Sequence, residues 1–249
     1  MKLELSDVEL LKNTVPIIAE IVDEGVFKID QNGLGMLSPD RAMVAVIDFK
    51  ILSSAFDTYQ VEGEHNIGLN LSNFVSILKR VKSSDKLIME MEEGGNKLRL
   101  TLEGNGKRTF ELPLLDISME KPPVDQLAFG GKVQLESDVF EEGVADAEIA
   151  GDSIIFQAGP EGGFSMHAKG DISSSKLEMV DKDKGLLGVE TQQAIKGRYP
   201  LEYLRKMAKA SKLTDQMTLE FGNDYPMRIA FQVIDKMQLS FILAPRVEE

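Results

Sequence analysis

The chain contains no cysteine, which excludes disulfides, thiolate nucleophiles and cysteine-ligated zinc and is compatible with a reducing compartment. Its two histidines, His65 and His167, stand apart from each other. His65 sits in a turn-like Glu64-His65-Asn66 and His167 on the polar side of an alternating strand, so neither has the partners that metal or triad chemistry needs. No apolar run reaches the roughly 18 residues of a membrane span. The start, Met1-Lys2-Leu3-Glu4-Leu5, lacks the apolar stretch of a signal peptide, and the expected place is the cytoplasm. Gly33-Leu34-Gly35 and Gly159 to Gly163 are followed by no Gly-Lys-Ser/Thr, so they are not phosphate loops. Bases are also scarce: 28 Lys and Arg against 41 Asp and Glu give a net charge of −13, which for the chain as a whole opposes binding to a phosphate backbone.

What is present is regular. Apolar spacing predicts four amphipathic helices, over about Asp7 to Asp23, Ser72 to Ser84, Asp138 to Ala150 and Pro200 to Lys212. Ser72 and Ser137 are expected N-caps, Pro200 suits a first turn, and Pro16 should kink or shorten the first helix. Between them, runs such as Leu98-Leu100-Leu102, Met217-Leu219-Phe221, Met227 to Val233 and Met237 to Leu243 alternate with polar residues. That period implies antiparallel strands covered on one face. Turn residues separate them, among them Gln31-Asn32-Gly33, Glu93-Gly94-Gly95-Asn96, Gly104-Asn105-Gly106 and Gly222-Asn223-Asp224.

The order strand, helix, several strands occurs twice in each half of the chain. Asp85 before Leu-Ile-Met-Glu-Met answers to Asp215 before Met-Thr-Leu-Glu-Phe, and Met36 to Met166. Two copies of one domain follow, with boundaries expected at 1–116 and 132–249 and a Pro122-Pro123 linker over 117–131.

The charges are distributed unevenly. The second and fourth helical windows carry Lys79, Arg80, Lys82, Arg205, Lys206, Lys209 and Lys212 and a single acid, Glu202. At about 100° per residue the bases fall opposite the apolar arc. A solvated face with lysines near a helix C-terminus would account for either helix alone. Recurrence in equivalent helices of an acidic chain points instead to contacts with phosphate, without base readout and weakened by salt. The third helix is the reverse, with Asp138, Glu141, Glu142, Asp146 and Glu148 and no base, and is expected to meet a basic surface of a neighbouring subunit.

The tail Phe241-Ile242-Leu243-Ala244-Pro245-Arg246-Val247-Glu248-Glu249 resembles that of the archaeal proliferating cell nuclear antigen family, the DNA sliding clamps. So do Arg108-Thr109-Phe110-Glu111-Leu112-Pro113-Leu114-Leu115-Asp116 and Ile67-Gly68-Leu69-Asn70-Leu71. The similarity runs over the whole chain. It implies an α+β fold of two tandem clamp domains, antiparallel sheets outside and four helices lining the inner face of a three-subunit ring around duplex DNA. It implies no cofactor and no metal. Partners would be DNA polymerase, clamp loader, flap endonuclease and DNA ligase, docking through short hydrophobic peptides, and the clamp would work at the nucleoid, or in the nucleus of a eukaryote. The peptide pocket falls by resemblance on Met43, Val44, Val124, Leu127, Pro226, Ile242, Ala244 and Pro245. The family pattern pairs Lys107 to Leu115 of one subunit with Ser174 to Val180 of the next. That puts Arg80, Lys82, Arg108 and Phe110 opposite Glu142, Asp146, Lys176, Leu177 and Glu178. The first and third helices offer only Lys12 as a base, so DNA contact should fall on the second and fourth.

Among 41 acids, carboxylate pairs arise by chance, so a metal-dependent hydrolase has no specific support. A checkpoint-type clamp, or one subunit of a heterotrimeric ring, would have the same fold and differ in whether the purified chain assembles alone.

Overall fold

The computed structural model describes residues 1–92, 94–118 and 121–246. Glu93 of the Glu93 to Asn96 turn, linker residues Met119 and Glu120, and Val247, Glu248 and Glu249 of the tail lie outside them.

The first half runs β1 (Lys2–Leu5), α1 (Glu9–Ile18), β2 (Glu24–Asp30), β3 (Gly33–Pro39), β4 (Ala45–Leu52), β5 (Thr58–Gln60), β6 (His65–Asn70), α2 (Leu71–Leu78), β7 (Lys86–Glu90), β8 (Lys97–Glu103) and β9 (Lys107–Pro113). The second half repeats it: β10 (Gly131–Glu136), α3 (Ser137–Glu148), β11 (Ser153–Ala158), β12 (Phe164–Lys169), β13 (Ser174–Met179), β14 (Leu186–Thr191), β15 (Ile195–Pro200), α4 (Leu201–Ala208), β16 (Gln216–Phe221), β17 (Met227–Val233) and β18 (Met237–Leu243).

Strand order repeats as well. The run β5-β1-β7-β8-β9 has its counterpart in β14-β10-β16-β17-β18, and β4-β3-β2-β6 in β13-β12-β11-β15. The chain divides into two compact units, one of Met1–Arg41, Ile47–Pro122 and Val233–Leu239, the other of Ala42–Val46, Pro123–Gln232 and the chain from Ser240. β4 and β18 are neighbours and each contributes to both units. In the first unit Leu52 N–H donates to the Lys236 carbonyl, and in the second Ala244 N–H donates to the Val44 carbonyl, both at 2.9 Å.

Each unit packs its helices on the apolar face of its sheets. In the first, Phe74 of α2 meets Phe27 of β2 edge-on at 6.0 Å. In the second, Phe156 is fully buried and its ring lies 5.8–6.4 Å from Tyr199, Phe164, Phe221 and Phe140. Burial of such rings is the largest stabilising contribution per residue available to a core of this kind.

The helices are shorter than their apolar spacing predicts. α1 stops at Ile18: Pro16 lies inside it, and beyond it Glu20 and Ile21 N–H turn to carbonyls three residues back. α2 is capped by Asn70, whose side chain accepts from Asn73 N–H at 3.0 Å, and not by Ser72. It ends at Leu78 because Val81 drops into the core and the following segment is bonded elsewhere. Ser137 is the first residue of α3 with its hydroxyl buried without a partner, so it is not the expected N-cap; Glu136 holds that position. Pro200 is the N-cap residue of α4, whose expected continuation to Lys212 is a 3₁₀ turn over Lys209–Leu213.

On β1, Glu4 is flanked by Lys2 at 2.8 Å and Lys86 at 2.7 Å. Hydrogen bonds from Lys2 and then Lys86 hold its carboxyl down at about 2. A carboxyl whose folded value is depressed contributes stability that is complete above its unfolded value, near 4.5, and lost as pH falls through about 2. Urea midpoints of the wild type should therefore fall more between pH 4.5 and pH 2 than those of Glu4→Gln, and parallel curves would contradict the assignment.

Candidate functional site

Three surfaces gather the residues singled out by the sequence. The first is basic. Lys79, Arg80 and Lys82 are exposed, but they follow α2 instead of riding on it. Lys79 and Arg80 close its last turn and Lys82 N–H is bonded to the Asp85 carboxylate at 3.0 Å, so the expected basic helix face is a basic segment at the helix exit. On the fourth helix the expected arc is present: Leu201, Leu204, Met207 and Ala208 are buried, while Arg205, Lys209 and Lys212 are exposed. Lys206 is half-buried, 3.5 Å from the Glu202 carboxylate and 5.4 Å from the centre of the Tyr203 ring. Lys12 is paired with Glu9 at 3.3 Å.

The second surface is a pair of strand edges. Among the described residues, β9 ends one strand order and β13 another. The other terminal strands differ. β6 is covered by Leu115, whose N–H donates to Gly68 at 2.9 Å, a backbone approach so close that a Cβ at position 68 would lie 2.1 Å from the Leu115 carbonyl oxygen. β15 is covered by Arg246 N–H on the Arg198 carbonyl at 2.7 Å and by Asn223, which accepts from Lys196 N–H at 2.8 Å. β5 and β14 end their orders in both copies. β9 and β13 alone lack what their counterparts β18 and β4 have, namely each other.

Around β13 stand the acids expected there. Glu142 and Asp146 are exposed on α3, which packs on the strand so closely that a Cβ at Gly143 would meet Met166 at 2.8 Å and Leu177 at 3.3 Å. Lys176 and Glu178 pair along the strand at 2.6 Å. Ile149, Ile172 and Val180, near its two ends, are among the most exposed large apolar residues of the chain, at 78%, 100% and 62%. On β9, Phe110 is half-buried. Arg108 is bonded inside its own unit, to Asp85 and to the Arg80 carbonyl.

The third surface is a concavity of about 590 Å³ that brings together Val44, Ala244 and Pro245 with Leu201, Tyr203, Asp152 and Arg205. Arg246 closes one side of it, 2.5 Å from Asp152, and this guanidinium holds the Asp152 carboxyl below its usual range. The remaining expected pocket residues are not part of its lining. Met43 is 70% exposed at a φ of 58°, an uncommon conformation for a side-chain-bearing residue. Val124 and Ile242 are buried and Pro226 is half-buried. Leu127 lines a separate, more polar recess with Phe129, Glu190 and Arg228.

Sequence reading missed what holds that region. In the linker, residues 124 to 130 are tied down. Phe129 meets Tyr225 edge-on at 6.0 Å and lies 4.8 Å under the Arg228 guanidinium, which also reaches the Val124 carbonyl at 3.5 Å. Gly130 N–H bonds Phe221 at 2.9 Å, and the buried Tyr199 hydroxyl, its phenol pushed up by burial, donates to Tyr225 at 2.7 Å. An aromatic inside a Pro-rich linker was the available signal.

The chain is thus a doubled α+β domain with bases along α4 and at the exit of α2. Comparison with known proteins makes this specific. Residues 1–121 match the N-terminal domain, and residues 123–246 the C-terminal domain, of proliferating cell nuclear antigen. The DNA polymerase sliding clamp of Pyrococcus horikoshii and sliding clamp 1 of Thermococcus kodakarensis are each 37% identical over 231 residues, covering 93% of this chain and 92% of theirs. The crystal structure of PCNA from Thermococcus kodakaraensis superposes with a TM-score of 0.91 at 27% identity, covering 98% and 99% of the two chains. That of the PCNA2–PCNA3 complex from Sulfolobus tokodaii gives 0.90 at 29% identity over all of both chains. The chain belongs to the proliferating cell nuclear antigen family of DNA polymerase sliding clamps.

Proposed function

We propose that this chain closes head to tail into a ring of three copies that encircles duplex DNA, and that the ring tethers polymerase, clamp loader, flap endonuclease and DNA ligase through short hydrophobic peptides. The observation that carries the reading is the unequal fate of equivalent strands. β4 and β18 are paired within the chain, whereas among the described residues their counterparts β13 and β9 each have a strand on one side only. Exposed strand edges are a liability that soluble proteins rarely leave open. Pairing β9 of one copy with β13 of the next satisfies both, and because the two edges differ, such contacts must close to avoid a filament. The count of three comes from the family resemblance.

The division 1–116, 117–131 and 132–249 gives each subunit two copies of the domain. The two basic segments, Lys79 to Lys82 and Arg205 to Lys212, supply backbone contacts without base recognition, so retention on DNA is topological and direct affinity is weak and salt-sensitive. The concavity at Val44, Ala244 and Pro245 takes the peptide's apolar anchors, in the manner of hydrophobic grooves that read short motifs.

Reversing Arg205, Lys206 and Lys209 to Glu should leave the fold intact, because these side chains lie outside the buried arc. The slope of log affinity against log salt for duplex DNA should become shallower by about 0.9 for each phosphate contact removed. An unchanged slope, or sequence-selective binding by the wild type, would overturn the DNA surface.

At the seam, Arg80 and Lys82 oppose Glu142 and Asp146. Exposed pairs contribute only about 0–1 kcal/mol each, but several together fix orientation. Glu142→Lys with Asp146→Lys should give monomers at micromolar concentration, and adding Arg80→Glu with Lys82→Glu should partly restore the ring. Sedimentation decides it: an acidic-helix variant that stays fully trimeric in moderate salt removes the electrostatic part. A wild-type chain that stays monomeric favours a heteromeric ring.

A further inference from the structure

Asp85 lies in the turn before β7 and is only 4% exposed. Its carboxylate is held from two sides. Oδ2 accepts Lys82 N–H at 3.0 Å and also the Arg108 guanidinium through Nη2. The other terminal nitrogen of Arg108 donates to the Arg80 carbonyl at 3.2 Å. Position 104, at the β8–β9 turn, has to be glycine for this to fit, since a Cβ there would lie 2.0 Å from Asp85 Oδ1. The second residue of edge strand β9 is thus fastened to the segment that carries Lys79, Arg80 and Lys82.

The repeat supplies an internal control. β7 and β16 begin 130 positions apart, while strand register and the inward-facing residues set β8 and β9 against β17 and β18 at a spacing of 129, so Asp85, Gly104 and Arg108 correspond to Asp215, Val233 and Met237. Asp215 is exposed, Val233 is not a glycine and Met237 is a buried apolar residue without charge. All three parts of the arrangement are missing from the copy whose last strand, β18, is held by β4. All three are present in the copy whose last strand, β9, is open. A neighbouring strand fixes the position of β18; on β9 a buried ion pair takes that task. Charge-assisted bonds to a buried carboxylate are short and directional, which suits holding a strand end in one place.

We infer that Asp85 is a positioning residue of the subunit seam. Through Arg108 and the Lys82 amide it locks the start of β9 and the Arg80–Lys82 segment into one body, and so presents strand edge and basic charges together to a second copy of this chain. Arg108 acts at the seam by holding this body and not by reaching across to the neighbour's acids. The inference rests on the ring reading for its occupant.

The test is a double-mutant cycle on the full chain, with Asp85→Asn and Arg108→Met, the latter placing the residue of the second copy in the first. Each single variant should raise the concentration at which the assembly half-dissociates by about tenfold, and the double variant should be no worse than either, because both remove one interaction. Exchange of the amides of residues 80–84 should quicken in both while β7 and β8 keep wild-type protection, a split that general loss of stability would not produce. Asp85→Asn assembling at wild-type concentration, or effects that add, would overturn the inference and leave Arg108 as a direct cross-seam charge. Should the variants fail to fold, the wild type still decides: the Lys82 amide should be protected far beyond its exposed neighbours Ser83 and Ser84, and rapid exchange there would refute the lock. A wild type that never assembles fails the ring reading instead, and the exchange data then judge the lock on their own.

Discussion

Backbone hydrogen bonding at the edge of a sheet is the constraint on which the rest of this protein depends. Every strand has two sides, and each N–H and C=O on an open side needs a partner or water. Within the described residues the demand is met in two cases and left open in one. β6 and β15 are covered by irregular segments, through Leu115 on one and Asn223 and Arg246 on the other. β4 and β18 cover each other. Among the described residues, β9 and β13, the counterparts of that pair, each have one side that no strand covers, with exposed acids, bases and aliphatic residues nearby.

Charge distribution follows from the same repeat. A net charge of −13 would keep phosphate away if it were spread evenly. Instead, equivalent elements of the two copies, the exit of α2 and the outer arc of α4 with its 3₁₀ continuation, are basic, while α3 is acidic. The doubled domain thereby separates its charges within one architecture: basic elements in both copies, and one acidic helix in the second copy packed against β13.

Much of this was legible in the sequence because it depends on periodicity. Period-two runs gave the strands, the helical windows gave four helices, and the matched Asp85 and Asp215 gave the repeat. Helix ends were less legible, since they are decided by tertiary bonds. α2 stops at Leu78 because Val81 is needed in the core and Lys82 N–H is taken by Asp85. Ser72 has the chemistry of a cap, but Asn70 occupies the geometry. The site was legible in its charges and less so in its apolar part: the sequence does not say that Ile242 and Val124 are turned inward, or that Phe129, Tyr225 and Arg228 bind the linker down. The bond from Arg108 to Asp85 was not legible either, because the two are close in space but 23 residues apart in the chain.

The absence of native cysteine makes the decisive measurement clean. Thr109→Cys on β9 and Lys176→Cys on β13 give a chain with two thiols and no others, one at each open edge. Treated with a short bismaleimide at a concentration where the wild type is assembled, it should yield dimer and then a covalent trimer that ends the series, while either single-cysteine variant should not progress beyond an occasional dimer. Protein that remains monomeric, or a ladder that continues past three, would contradict pairing of these edges in a closed ring.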